Sequence, residues 1–196
     1  MSLEAKTALG HVRRLLETEG STLATHGKLI QHSLTGSWVT LVRTFNTIFG
    51  RPIRSPEEIH ADLSHVDDDE KEMCLKILIE EVLETVEAMG FVMKMNGSKV
   101  VFFRLDGEGN AVDLADGLGD IIFVCIHVAL RFGIDIDRVF REISASNFTK
   151  LGADGQPILR ADGKILKGPE YFKAALARIV MAASQPLMTE GDSTDA

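Results

Sequence analysis

Two clusters of acidic side chains stand out as candidates for chemistry. Glu80, Glu81 and Glu84 spell Glu-Glu-x-x-Glu, and downstream come Asp113-x-x-Asp116 and then Asp120. Residues three and four apart share an edge of a helix. Glu81 therefore falls beside Glu84, and the three aspartates fall within about 60° of one another. Oxygen ligands at this density suit a hard cation, Mg²⁺ or Mn²⁺, rather than zinc. Such an ion can neutralise phosphate oxygens and acidify a bound water. The glutamates alone select nothing, because acid pairs at this spacing also sit on solvated helix faces. The aspartates say more. Their segment is otherwise Leu114, Leu118, Ile121, Ile122, Phe123, Val124, Ile126 and Val128, and a helix apolar nearly all round reads as buried. A buried carboxylate must be neutralised, paired or bound to metal, and few basic residues lie nearby in sequence to pair with these. His127 has no Glu three residues before it. That excludes the Glu-x-x-His pairs of a di-iron bundle and leaves His127 as a core histidine.

Asn147, Lys150, Arg160, Lys164 and Lys167 gather around a glycine-rich stretch. Such a loop can fold over a phosphate chain through charge-assisted contacts. It can equally be a solvated loop with ordinary lysines.

The elements that must position these groups are mostly helices. The pattern gives a helix over 3–19, a polar stretch to Gly36, and a helix over 38–49 that ends at Gly50. Arg51-Pro52 and Ser55-Pro56 then break the chain. Asp67 to Asp69 cap a long helix running to Met89. Its core stripe is expected to be Leu75, Leu78, Ile79, Val82, Leu83, Val86 and Met89. Ile77, between the glutamates, implies that their face is also covered, by another helix or subunit. Asn96-Gly97 between apolar runs predicts a β-hairpin over 91–104. Helices follow over 111–132 and 136–149. Residues 150–168 read as an irregular loop or small ribbon, and Pro169 opens a last helix to 184. The fold class is mainly α, a helical bundle with a small β-hairpin near 91–105. Residues 1–35 are an expected appendage, 36–184 the domain and 185–196 a disordered tail.

A net charge of −8 over 196 residues argues against a surface for nucleic-acid phosphates. It leaves a small phosphate-bearing substrate open, because a bound cation inverts the sign of an acidic pocket. The apolar run at 121–130 is too short to span a bilayer. Cys74 and Cys125 are expected as two buried thiols in a reduced, cytoplasmic protein. The helix over 111–132 has more apolar surface than one small bundle covers, so a symmetric dimer is expected.

Glu80-Glu81-x-x-Glu84 with Asp113-x-x-Asp116 resembles the EExxE…ExxD signature of the all-α NTP pyrophosphatases. That superfamily includes MazG, phosphoribosyl-ATP pyrophosphohydrolase and the dimeric dUTPases. Residues 113–172 are similar to the C-terminal half of the MazG-like branch, and TFNTIFGRPI, residues 44–53, resembles its opening helix and Phe-Gly-x-Pro turn. The resemblance spans roughly 38–172. It implies a Mg²⁺-dependent enzyme of the all-α NTP-pyrophosphatase bundle that cleaves a (d)NTP to the monophosphate and pyrophosphate. dUTP or another non-canonical nucleotide, in a house-cleaning role, is the first substrate class. Glu81, Glu84, Asp113 and Asp116 would be metal ligands, Asp120 an additional or outer one, and Glu80 would orient or deprotonate the attacking water. Asn147, Lys150 and Lys167 would contact phosphates, and Phe45, Asn46 and Phe49 the base. A homodimer or dimer of dimers is implied, with no nucleic-acid or membrane partner. The alternatives are phosphoribosyl-ATP pyrophosphohydrolase activity and an inactive dimerisation or regulatory module of the same fold. Two departures stand out: Asp113 replaces the family's usual Glu, and the 91–110 insertion lengthens the link between the acidic helices.

Overall fold

Helices form where the chain supplies a cap and a face to bury. The structure, a computed structural model, describes residues 22–182. The elements are α1 (Thr22–Ser33), α2 (Trp38–Ile48), α3 (Asp68–Ala88), β1 (Phe91–Asn96), β2 (Lys99–Arg104), α4 (Ala111–Arg131), α5 (Ile136–Phe148) and α6 (Leu176–Ala182). The helix expected over 3–19 and the tail at 185–196 lie outside the described residues. The described chain divides into two units, residues 22–53 with 66–131, and residues 54–65 with 132–182. The mainly helical class with one small antiparallel sheet is as expected.

In the first unit, Ser37 caps α2 by accepting from Thr40 N at 3.2 Å. Asp67 caps α3 by accepting from Glu70 N at 2.7 Å. Asp68, Asp69 and Glu70 fill the first turn of α3, where the helix dipole favours acids. Gly90, at φ +83°, ends that helix. The hairpin follows at once, with Phe91 opposite Arg104 and Asn96 opposite Lys99. Its turn is therefore Gly97-Ser98, one residue later than expected. Gly97 takes φ +59°, the first-position glycine of a II′ turn. Asn110 Oδ1 accepts from Val112 N at 2.8 Å and starts α4. α4 packs against both α2 and α3. Val42, Val66, Cys74, Val124, Ile126, Ala129 and Leu130 are the buried apolar centre.

Four further expectations for this unit change. Residues 22–33, expected as a polar stretch, are helical because α1 packs on α2, and tertiary contact outweighs weak local propensity. The stripe expected as the core of α3 is largely exposed: Leu75, Ile79, Val82, Leu83 and Met89 all face out. The face turned to α4 carries Glu70, Cys74, Ile77, Glu81, Thr85 and Ala88 instead, and all of these but Ile77 are small or polar. Apart from Gly117, helix α4 is buried only toward its C-terminal end. Val112 is 77% exposed, Leu118 and Ile122 are also exposed, and so are Asp113, Asp116 and Asp120. The aspartates thus stand on the open part of an apolar helix rather than in its buried part. Cys74 is buried and Cys125 exposed, both as free thiols, because Cys125 lies on α4 away from the packed face.

In the second unit, Asp135 caps α5 by accepting from Arg138 N at 3.1 Å. Ile59, Phe132 and Ile179 are buried. The stretch 150–168 is a ribbon with two isolated bridges, Leu151 to Pro157 and Leu159 to Ile165. The last helix begins at Leu176 rather than Pro169. Residues 169–175 stay irregular because their backbone groups are committed elsewhere. Phe172 N donates to Thr149 Oγ1 at 2.9 Å, Phe172 O accepts from Ser146 Oγ at 2.7 Å, and Ala175 N donates to Glu142 Oε1 at 2.8 Å. No single helix among the described residues is long and apolar enough to cross a membrane.

Candidate active site

Helices α3 and α4 run antiparallel, and a contact near each end fixes their register. At one end Arg131 Nε donates to Glu70 Oε1 at 2.8 Å, both side chains being 8% exposed. Breaking such a buried pair is costly, because it strands the remaining charge. At the other end Gly117 lies on Thr85. A Cβ at Gly117 would sit 2.5 Å from Thr85 Oγ1 and 3.2 Å from Thr85 Cα. Only glycine allows that approach, and Thr85 Oγ1 is satisfied within its own helix by Glu81 O at 2.7 Å. The sequence reading picked out neither contact. An i, i+3/i+4 stripe from Glu70 through Cys74, Ile77, Glu81 and Thr85 marks the face.

Close approach at Gly117 gathers the carboxylates. Glu81 is half-buried, while Glu80, Glu84, Asp113, Asp116 and Asp120 are exposed. Burial raises the Glu81 carboxyl above the ordinary glutamate value, and Asp120, Glu84, Glu80 and Asp116 push it further up, in that order. Asp120 contributes most among these charges, and Asp113 stands in the first turn of α4. None of the six forms an ion pair with a described residue. The donor set is oxygen-only and electrostatically unrelieved, which is the chemistry a hard divalent cation answers. Among the described residues no three His, Cys, Asp or Glu side chains converge closely enough to hold an ion.

Helix α2 supplies the residues expected at a base. Phe45 stacks on Phe49 at 4.3 Å and meets Phe123 edge-on at 5.0 Å. Asn46 is fully buried, its Oδ1 2.6 Å from His127 Nδ1. Burial, then Arg131 and Arg51, lower the His127 pKa. Asn46 Nδ2 is buried with no hydrogen-bond partner among the described residues. Phe49 is exposed. Beside this group a cavity of about 250 Å³ opens between α2 and α4, lined by Trp38, Leu41 and Val42 on one side and Gly119, Ile122, Phe123 and Ile126 on the other. Gly119 and Phe123 were missed as site residues, since nothing in their spacing sets them apart from core.

The basic group belongs to the second unit. Lys167 Nζ lies 4.4 Å from the centre of the Tyr171 ring. A hydrogen bond with Ser146 and the charges of Lys167, Lys150 and Lys173 lower the Tyr171 pKa. Lys150 and Lys167 therefore share one local field, with Lys173 added, and Asn147 adjoins Ser146 at the end of α5. A Cβ on Gly168 would run into the Leu151 carbonyl oxygen, so a glycine is what lets Lys167 return to Lys150. Arg160 belongs elsewhere in the ribbon. Its Nε donates to Asp162 Oδ1 at 2.8 Å, and Lys164 N donates to the same carboxylate.

Residues 42–147, more than half of the chain, match the family model described as phosphoribosyl-ATP pyrophosphohydrolase. The match takes in both acidic helices and the hairpin between them; Lys150 and Lys167 lie beyond it. No curated protein matches the chain.

Proposed function

The chain belongs to the phosphoribosyl-ATP pyrophosphohydrolase family, hydrolases of phosphoanhydride bonds within the all-α NTP pyrophosphatases, and from that premise we propose that it cleaves a (d)NTP to the nucleoside monophosphate and pyrophosphate. The observation that carries this reading is the half-buried Glu81 carboxylate, crowded by four others with no ion-pair partner among the described residues. Glu81, Glu84, Asp113 and Asp116 would hold Mg²⁺ by turning their side chains together from the positions described, with Asp120 as a further or outer ligand. When bound, the ion neutralises phosphate charge and acidifies water. Glu80, exposed beside Glu81, orients the attacking water or takes its proton. Asn147, Lys150 and Lys167 hold the phosphate chain. Phe45, Asn46 and Phe49 face the base side, supported by the orphaned Asn46 Nδ2, which a ligand acceptor would satisfy.

The exposed apolar face of α3, with Leu118 of α4 also exposed, supports a homodimer, because monomers rarely leave such a face open. The two free thiols support a cytoplasmic location. The family match itself favours a second reading, phosphoribosyl-ATP as substrate. One experiment separates them. The purified chain with Mg²⁺ is given dUTP, the four common dNTPs and phosphoribosyl-ATP, and pyrophosphate release is followed. Turnover of the triphosphates is expected. Turnover of phosphoribosyl-ATP alone moves the assignment to the second reading, and no release from any of them leaves an inactive module, for which Asp113 in the Glu position would be the reason.

A further inference from the structure

Glycine is disfavoured inside a helix, so each one in α4 needs a cause. Gly117 has one, since a side chain there would strike Thr85. Gly119, two positions on, does not: a Cβ built on it meets nothing within 4 Å. That open space belongs to the cavity of about 250 Å³ between α2 and α4. The cavity is just below the range of about 300–1,000 Å³ typical of whole small-molecule sites. It suits one ring system. Trp38 and Phe123 give it aromatic walls, surfaces on which a nucleobase stacks without regard to its hydrogen-bond pattern. Asp116 stands three residues before Gly119 on the same helix, about 4.5 Å back along the axis. A ring in the cavity would leave its phosphates at the acidic cluster.

We propose that this cavity takes the heteroaromatic ring of the ligand and that Gly119 is the specificity-determining residue, setting the size of ring admitted. The proposal rests on the nucleotide reading above and refines it: selection at this point is by fit, because the walls are apolar. Apolar pockets discriminate in this way, a single carbon changing preference about tenfold or more.

Trp38 is the only tryptophan in the chain and lines the cavity, so its fluorescence reports occupancy without turnover. Deoxyuridine and deoxyadenosine are titrated in EDTA, with deoxyribose as control. Both nucleosides should give saturable quenching and the sugar none. Gly119→Ala should weaken deoxyadenosine more than deoxyuridine while raising the melting temperature, since alanine favours the helix. Gly119→Leu should remove both responses with helicity unchanged. Wild-type quenching that survives Gly119→Leu overturns the proposal. So does Trp38 emission that follows protein concentration and ignores nucleoside, which would mean a second copy fills the space. Nucleoside quenching without Mg²⁺-dependent hydrolysis ends the pyrophosphohydrolase reading and leaves the pocket standing. Hydrolysis without any Trp38 response does the reverse.

Discussion

The acidic helix pair and the lysine-bearing ribbon solve the same problem, holding like charges together, by opposite means. In the helix pair the charges sit on regular backbone, and the register comes from Gly117 on Thr85 and Arg131 on Glu70. No described partner relieves the carboxylates, and Glu81 carries the strain as a raised pKa. In the ribbon the backbone is irregular, held by two isolated bridges and by Asp154 and Asp162, which accept from Gln156 N and Lys164 N. There Lys167 rests on an aromatic ring, while Arg160 is answered by Asp162 within the same turn. The lesson is that regular packing can crowd like charges at one half-buried carboxylate, Glu81, where a cation would offset their repulsion. The ribbon, lacking such packing, spreads or pairs its charge.

The largest test of that contrast is Glu81→Gln. It should lower pyrophosphate release about a hundredfold or more, as loss of a charge-stabilising group in a reaction centre does. The melting temperature should rise, because the crowded carboxylate is gone. Asp116→Asn should act the same way. Retained activity in both variants would break the acidic-site assignment, and a fall in melting temperature would show that the charges are relieved. Next comes Gly117→Leu, which forces α3 and α4 apart at the acids. Overpacking of this kind costs about 1–3 kcal/mol, and activity should go with it; denaturant unfolding together with turnover checks both.

A middle-sized effect is expected in the ribbon. Lys167→Ala should raise KM about tenfold with little change in kcat, the pattern of a lost charge-assisted substrate contact. Tyr171 is the only tyrosine in the chain, so its absorbance titration reads the same substitution. Its pKa should climb toward the ordinary value once the Lys167 charge is removed. An unmoved pKa would mean that the Ser146 hydrogen bond, with Lys150 and Lys173, sets it.

The smallest effect belongs to His127. Burial, followed by Arg131 and Arg51, holds its folded pKa below the ordinary histidine value. The unfolded chain therefore takes the proton first as pH falls. The stability contributed by neutral His127 is complete above the ordinary value and is lost as pH drops through it toward the folded one. His127→Gln, which keeps a donor for Asn46, should flatten unfolding free energy across that acidic window. An equal slope in wild type and variant would assign the acid sensitivity to other groups.

Much of the helical frame was legible. Asp67 before an apolar-periodic run, Gly90 after it, and Asp135 before Ile136 are local signals, and a cap acts on the residues next to it. The hairpin followed from Asn96-Gly97, with the turn one residue along. The acidic motif was visible as spacing, and the family match over 42–147 agrees with the resemblance its residues carried. The inner face of α3 was not legible, since periodicity marks an apolar face without saying which neighbour covers it. The broader stripe, from Leu75 to Met89, looked like core and is exposed. Gly119 and Trp38 were invisible as a pair, because a cavity is a property of two helices and neither sequence segment contains it.

What the sequence by itself determined was the helical class, the caps, the hairpin and the inventory of carboxylates and lysines. These depend on residues near one another in the chain, where backbone propensity and short-range hydrogen bonds act. What the tertiary structure decided was which carboxylate bears the load, which lysines share a field and where the apolar cavity opens. Each depends on backbones meeting at a distance along the chain, at Gly117 on Thr85 and Gly168 on Leu151, and long-range approach is set by packing rather than by local preference.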